Sequence, residues 1–457
     1  MRRLLAACLL LAVISLLLPS APTYDPWAWI VWGREVAHLS LDTTGGPSWK
    51  PLPVAFTTVF SGFGLIDDSI PPRLWLAVAR AGALLAVALV FRLARRLAGA
   101  GRWGVCAGAV AATALVLTPE WLRYAAHGNE APLAVATMLW AVQRHLDGSR
   151  RAAVALGFAA CLMRPEVFPF LGAYAAWTWR CEPTARKLIV ACAVALPALW
   201  LLPEWIGSGN PLGAGAQARS EPSWSLSRQD HPWLALLSRA HEVFGPLLEA
   251  GVAVAVLLAW RHRSRFELAL GVTALAWVGL VAAMTQAGFS GNPRYLLPAT
   301  VIACVLTGAA AGHLLRFAPR SLPAGAAAIA VAALAVALSL TRVASLPEQA
   351  RTAAHTAQLD RDLGVAVSRM GGGDAVVRRG SPTSDRAFVP HLAWLTTLPV
   401  GQVERSRGTG LIFAAGRRNP STLVAQTTPP PDLSGVTEVG RWRVYLSGRG
   451  GAPPQRR

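Results

Sequence analysis

The chain has almost no lysine. Only Lys50 and Lys187 are lysines among its forty-three basic residues; the rest are arginine. Asparagine is nearly as scarce, with Asn129, Asn210, Asn292 and Asn419 alone. Charged residues make up 15% of the chain, where a soluble protein carries roughly a quarter. That shortfall excludes an ordinary soluble fold. There is no CxxC pair and no Cys/His ligand spacing. The six cysteines fall in apolar runs or, for Cys181, in an arginine-rich connection, so neither disulfides nor a structural zinc is expected. No P-loop or GxGxxG stands in a suitable context, which argues against direct use of a nucleotide.

Apolar runs are what the chain has instead. It is 457 residues long, 53% hydrophobic, with mean hydropathy +0.41. Apolar runs of about 20 residues, long enough to cross a hydrocarbon core, recur from end to end, and spans are expected near 4–19, 74–91, 103–118, 130–143, 152–163, 167–179, 188–203, 240–260, 266–286, 295–315 and 322–341. The formal net charge of +19 lies largely in short arginine clusters between those runs. That is the positive-inside pattern, not a nucleic-acid face. The arginines agree on eleven spans, with the N-terminus inside and the C-terminus outside. The first run also reads as a signal peptide ending in "LPSAP".

The expected fold is an α-helical polytopic membrane protein of about eleven transmembrane helices with a small C-terminal exterior α/β domain. The division is 1–341 for the membrane domain, with 20–72 as its first exterior loop, 342–448 for the exterior domain, and 449–457 as a disordered tail. Within the exterior domain, "PEQARTAAHTAQLDRDLGVAVSRM" has helical periodicity. "GGGDAVVRRG", "GLIFAAG" and "TEVGRWRVYLSG" read as short strands.

Polar variety gathers on the expected exterior side. "TYDPWAWIVWGREV" sets Asp25, Trp27, Trp29, Trp32, Arg34 and Glu35 on a short helix starting at Pro26. Asp25 reads equally as an N-cap or as a catalytic carboxylate, and the tryptophans as an interfacial belt. "SWKPLP" adds Trp49 and Lys50; "PEWLRYAAHGNE" adds Glu120 and places Arg123, His127 and Glu130 at spacings for one helical face. "RPE" supplies Arg164 and Glu166, and "NPRY" supplies Arg294 and Tyr295. "SGNP" occurs at 208–211 and 290–293, a turn signal that also presents Asn210. An arginine held by a carboxylate suits a phosphate, because its planar fork donates two parallel hydrogen bonds.

These segments resemble the GT-C superfamily of polytopic glycosyltransferases, which use polyprenyl-phosphate-linked donors. The resemblance covers most of 1–341. It is carried by Asp25 soon after the first span, Gly33-Arg34-Glu35, "SWKPLP", "GNEAPL", "LMRPEVFPFLGAY", "GSGNPL" and "NPRYLLP"; the "RPE" segment looks like that of actinobacterial members. It implies an inverting transfer at the outer face of the inner or plasma membrane, with Asp25 as general base and Glu35 or Glu130 in reserve. It also implies a polyprenyl-phosphate sugar donor, mannosyl or arabinofuranosyl, a glycan or lipid acceptor in the cell envelope, membrane lipid as a partner, and no nucleic acid. Many members have two adjacent acidic residues in the first loop. Here Asp25 is followed by Pro26, and the paired Asp67-Asp68 comes late, which leaves a divalent cation open. The donor-side residues would be Lys50, Trp49, Arg34, Arg123, Glu130, Arg164, Glu166, Asn210, Arg294 and Tyr295. A lipid transporter or flippase and an inactive GT-C-like scaffold are the alternatives.

Overall fold

The computed structural model describes residues 1–219, 225–317, 339–340, 342–403, 410–415 and 434–446. The eleventh expected span, apart from two of its residues, and the tail at 449–457 lie outside the described residues. The membrane part is built from helices α1 (Arg2–Ser15), α2 (Tyr24–Ala37), α3 (Pro51–Ser61), α4 (Ile70–Ala98), α5 (Arg102–Val116), α6 (Pro119–Ala126) and α7 (Ala131–Leu146). It continues through α8 (Arg150–Cys161), α9 (Phe168–Cys181), α10 (Arg186–Ser208), α11 (Gly213–Arg219), α12 (Pro232–Arg261), α13 (Arg265–Gln286) and α14 (Leu297–Phe317).

The first ten expected spans are all helical. Among the described residues five helices are long and apolar enough to cross a membrane, or six if α5 and α6, bent by 68°, form one broken span. The bend follows from Thr118-Pro119, since proline disfavours helical geometry in the residue before it. α1, α7, α8 and α9 are shorter, at 12–16 residues. α12 is interrupted where Gly245 takes φ 68° ahead of Pro246, the usual cause of a kink. The core of the bundle runs along α4, α5, α7 and α14, whose facing residues are largely Ala, Val and Leu. Gly308 and Gly312 let α14 approach α5 closely: a Cβ on Gly308 would lie 2.4 Å from the Ala107 carbonyl oxygen.

The C-terminal part carries α15 (Leu346–Arg369), α16 (Gly373–Val377), α17 (Val389–Thr396) and strands β1 (Thr383–Ser384), β2 (Leu411–Ala415), β3 (Ser434–Val439) and β4 (Trp442–Leu446). The sheet order is β1-β2-β4-β3, with β1 parallel to β2 and the other pairs antiparallel. In the β3–β4 hairpin Gly440 takes φ 57° at the turn. "GGGDAVVRRG" is not a strand. Gly372, at φ 84°, caps a short helix with Asp374 in its first turn and Val376 and Val377 buried. Negative charge near a helix N-terminus is favourable, and that local preference outweighs the β propensity of the valine pair.

One core joins this domain to the first loop. Trp29 and Trp32 of α2 are fully buried and Trp27 nearly so, in a cluster with Leu363, Phe388, Leu392, Phe413 and Trp442. The tryptophans are therefore interior packing, not an interfacial belt. The Trp27 ring stacks on His391 at 4.2 Å and donates from Nε1 to Asp360 Oδ1 at 3.0 Å. Asp360 also lies 2.8 Å from His391 Nδ1.

Candidate active site

Two X-Pro steps bring the main cations together. Lys50 precedes Pro51 and Arg164 precedes Pro165, and both residues are extended, at φ −142° and −137°. Each projects its side chain at the start of a helix instead of along it. Leu52 N donates to Leu162 O at 3.1 Å, tying the two steps to one place. Lys50 pairs through Nζ with Glu130 Oε1, and Arg164 Nη2 lies 3.1 Å from the same oxygen. Glu166 Oε1 stands 3.7 Å from Arg164 Nη1. Glu130 is wholly buried, and Lys50, Arg164 and Glu166 nearly so.

Arg294 completes the group from the short turn before α14. Its Nη1 is paired with Asp25 Oδ2. The Tyr295 ring lies under both guanidinium groups, at 5.2 Å from Arg164 and 5.6 Å from Arg294, and Lys50 Nζ sits 5.6 Å from the Trp29 ring. Three cations and three carboxylates thus share one site, and several of their hydrogen-bonding atoms are left over. Arg164 Nη1 and Nη2, Arg294 Nε, Glu130 Oε2 and Glu166 Oε2 are buried without a hydrogen-bond partner. A buried unpaired donor costs roughly 1–3 kcal/mol, more when charged, so these atoms mark a place made for a further group.

The electrostatics follow from the surplus of nearby cations around Glu130. Burial alone would raise its carboxyl, but Lys50, then Arg164 and Arg294, outweigh burial and hold it at about 2. Lys50 moves the other way for its own charge. Desolvation lowers its ammonium to about 8 against the pull of Glu130, with Arg164 and Arg294 adding to the fall. Both shifts describe one field: it favours the anion and makes Lys50 the cation that most readily releases its proton. Desolvation also lowers the Arg294 guanidinium, yet Asp25, Tyr295 and Glu130 reverse this and raise it well above its ordinary value.

Other candidate residues lie apart from this group. Arg34 donates to the carbonyls of Trp394 (3.2 Å) and Leu398 (3.1 Å), fastening α2 to α17. Glu35, ten residues from Asp25, accepts from Asp42 N at 3.0 Å. Trp49 donates to Leu199 O at 3.1 Å. Asn210 is exposed and closes its own turn through Leu212 N. The segment 123–130 is not one helical face: α6 stops at Ala126, and Gly128 at φ 71° turns the chain so that Glu130 opens α7. Arg123 pairs with Glu120, and buried His127 lies with Nδ1 3.0 Å from Ala21 O. Asp25 is not the N-cap, because α2 begins at Tyr24 with Thr23 in that position.

The sequence did not single out Tyr124, which reaches the site, or Glu204, which is buried outside it. Tyr124 OH donates to Asn292 Oδ1 at 2.8 Å, and that same oxygen accepts from Arg294 N; Asn292 therefore steadies the Arg294 turn. Glu204 is buried at the end of α10 with Oε2 3.3 Å from Thr43 Oγ1. A carboxylate closing an apolar run was its only signal. Among the described residues no three His, Cys, Asp or Glu side chains converge to hold a metal ion. Asp25, Glu130 and Glu166 each face a cation instead, an arrangement suited to an anion.

No family model matches the chain, and no curated protein matches it. Solved structures do. The crystal structure of ArnT from Cupriavidus metallidurans bound to undecaprenyl phosphate is 15% identical, with a TM-score of 0.50, covering 99% of this chain and 98% of that one. The apo state of the same protein is 16% identical, with a TM-score of 0.52 and the same coverage. At that identity the likeness is one of fold, shared end to end: the chain is a multi-pass membrane protein with an ArnT-like architecture.

Proposed function

We propose that the chain is a glycosyltransferase of the inner or plasma membrane, taking a sugar from a polyprenyl-phosphate donor to a glycan or lipid acceptor. The observation that carries this reading is the Arg164 fork. Both its terminal nitrogens are buried and, though they face Glu130 and Glu166, make no hydrogen bond; they stand beside Lys50 and Arg294, in a fold shared with a protein solved with undecaprenyl phosphate. In this reading 1–341 is the catalytic membrane domain, 342–448 a small exterior α/β domain packed on its first loop, and the site faces the exterior.

The chemistry is a single displacement. The acceptor oxygen forms a bond to the anomeric carbon, the bond from that carbon to the phosphate oxygen breaks, and the configuration inverts. Charge growing on the departing polyprenyl phosphate meets Lys50, Arg164 and Arg294, which are already oriented and need little rearrangement. The acceptor proton goes to a carboxylate. Glu130 is a poor acceptor, held at about 2 between two cations. Glu35 is engaged at the far end of α2. Asp25 remains, on the edge of the site and paired with Arg294. The carboxylates present do not fit a divalent cation, and no step runs through one.

The test is transfer by purified protein from mannosyl, arabinofuranosyl and other polyprenyl-phosphate sugars to envelope-glycan and lipid acceptors. Wild type should transfer, and Asp25→Asn should lose at least about 100-fold of the rate, the scale of general-base catalysis. Transfer that survives Asp25→Asn unchanged would remove Asp25 from that role. No transfer from any donor by folded protein would overturn the reading.

A further inference from the structure

A second arginine group lies at the opposite end of α4. Arg92, Arg95 and Arg96 occupy its last two turns and, with Gly99, Gln143 and Asp147, line a cavity of about 440 Å³. The only carboxylate among the described lining residues is fully used. Asp147 Oδ1 accepts from Arg96 Nη1 at 2.6 Å, and its Oδ2 pairs with Arg144. Arg96 also donates to Leu146 O at 2.7 Å, so it is fixed in place. Arg92 and Arg95 are exposed and make no ion pair or hydrogen bond to any described residue. The first turn of α5, which follows, brings no acidic residue. Arg316 of α14 reaches the same turn: a Cβ on Gly99 would sit 3.1 Å from its Nη1.

Arginines that serve only to orient a chain need nothing more than water. These instead converge on a concavity, with two positive charges in excess. Their depth also selects a ligand. Arg92 stands 22 residues after the start of α4, or about 33 Å along the helix at 1.5 Å per residue. The hydrocarbon core is about 30 Å thick, so the group sits at headgroup level. Basic pockets between membrane helices at that level suit phosphate-bearing headgroups.

We propose that this cavity is a binding site for a phosphate group, held by Arg92 and Arg95 with Arg96 as a fixed third donor. The phosphate comes from an anionic lipid headgroup or from free phosphate. The site is distinct from the buried group near Asp25 and does not depend on the proposed transfer.

The experiment uses the full-length protein in uncharged detergent, titrated with short-chain phosphatidylglycerol, phosphatidylcholine and inorganic phosphate. The variant is the double Arg92→Gln/Arg95→Gln; a charge-matched control is Arg261→Gln/Arg265→Gln, at exposed positions outside the cavity. Thermal unfolding of both establishes that they fold. Phosphatidylglycerol should bind and phosphatidylcholine should not. The double variant should bind about thirty-fold more weakly, the effect of two arginines near an anionic surface, and the control should match wild type. Inorganic phosphate binding with the same arginine dependence supports the site and assigns it to free phosphate. Equal phosphatidylglycerol binding by the double variant and wild type, or no binding by either anion, overturns the proposal.

Discussion

The two ends of the bundle use the same side chains in opposite ways. Near Asp25, three cations and three carboxylates are packed out of water, and most of their charge is neutralised within the group. At the other end of α4, arginines stand in solvent, and Arg92 and Arg95 have no described counterion. Burial accounts for the difference. A charge removed from water must be paired and hydrogen-bonded or it neutralises itself, whereas a hydrated one needs no partner. A buried group can therefore hold a fixed geometry for a ligand, and an exposed one supplies mainly field. The same ion pair should matter far more in the first place than in the second.

The sharpest way to break that contrast is Glu130→Gln. It leaves Lys50 and Arg164 buried without their shared anion, and removing one partner of such a pair costs about 3–5 kcal/mol. Thermal unfolding in detergent should show a large loss; a loss no greater than that of a surface variant would mean the group is hydrated after all.

A second test uses a buried carboxylate whose nearby cation does not outweigh its burial. Burial raises Glu35 from 4.5 to about 8, ahead of the opposing hydrogen bond from Asp42 and the Arg34 charge. Between about pH 4.5 and 8 the folded protein holds a proton that the unfolded chain has released, so stability falls as pH rises through that window. Glu35→Gln should flatten this fall, with its largest stabilisation, on the order of 1–3 kcal/mol, at pH 8. Parallel melting curves for wild type and variant from pH 5 to 8 would contradict it.

The smallest effect belongs to the exposed end. Asp147→Asn breaks pairs whose side chains are 36–46% exposed, and such pairs are worth roughly 0–1 kcal/mol. Its melting temperature should stay close to wild type, and sensitivity comparable to Glu130→Gln would erase the distinction between the two ends.

Local chemistry makes much of this architecture readable from the sequence alone. Apolar length located ten helices, and the periodicity of 347–370 located α15. The scarcity of lysine singled out Lys50 and the RPE segment singled out Arg164; that each precedes a proline and so leaves the helical region emerged with the fold. What sequence could not show was convergence across long separations. Glu130 looked like a member of a face with Arg123, since spacing cannot reveal that Gly128 turns the chain between them. Arg34 and the tryptophans looked like site and interface residues because their true partners, Leu398, Trp394 and Leu363, lie more than 300 positions away. Span counts suffered for a related reason. Arginine clusters report where a run ends, and they do not measure whether the helix between them is long enough.

The bond between Trp27 and Asp360 joins residues 333 positions apart. During synthesis at about 5–20 residues per second, α2 emerges roughly 20–60 s before the surface that will cover it. Throughout that interval Trp27 is without His391 and Trp394, the rings it packs against. The face of α2 that packs on the C-terminal domain therefore stays open until residues near 360–394 have been made. Any interruption of translation in the last hundred residues would release a nearly complete membrane bundle with its stickiest helix still uncovered.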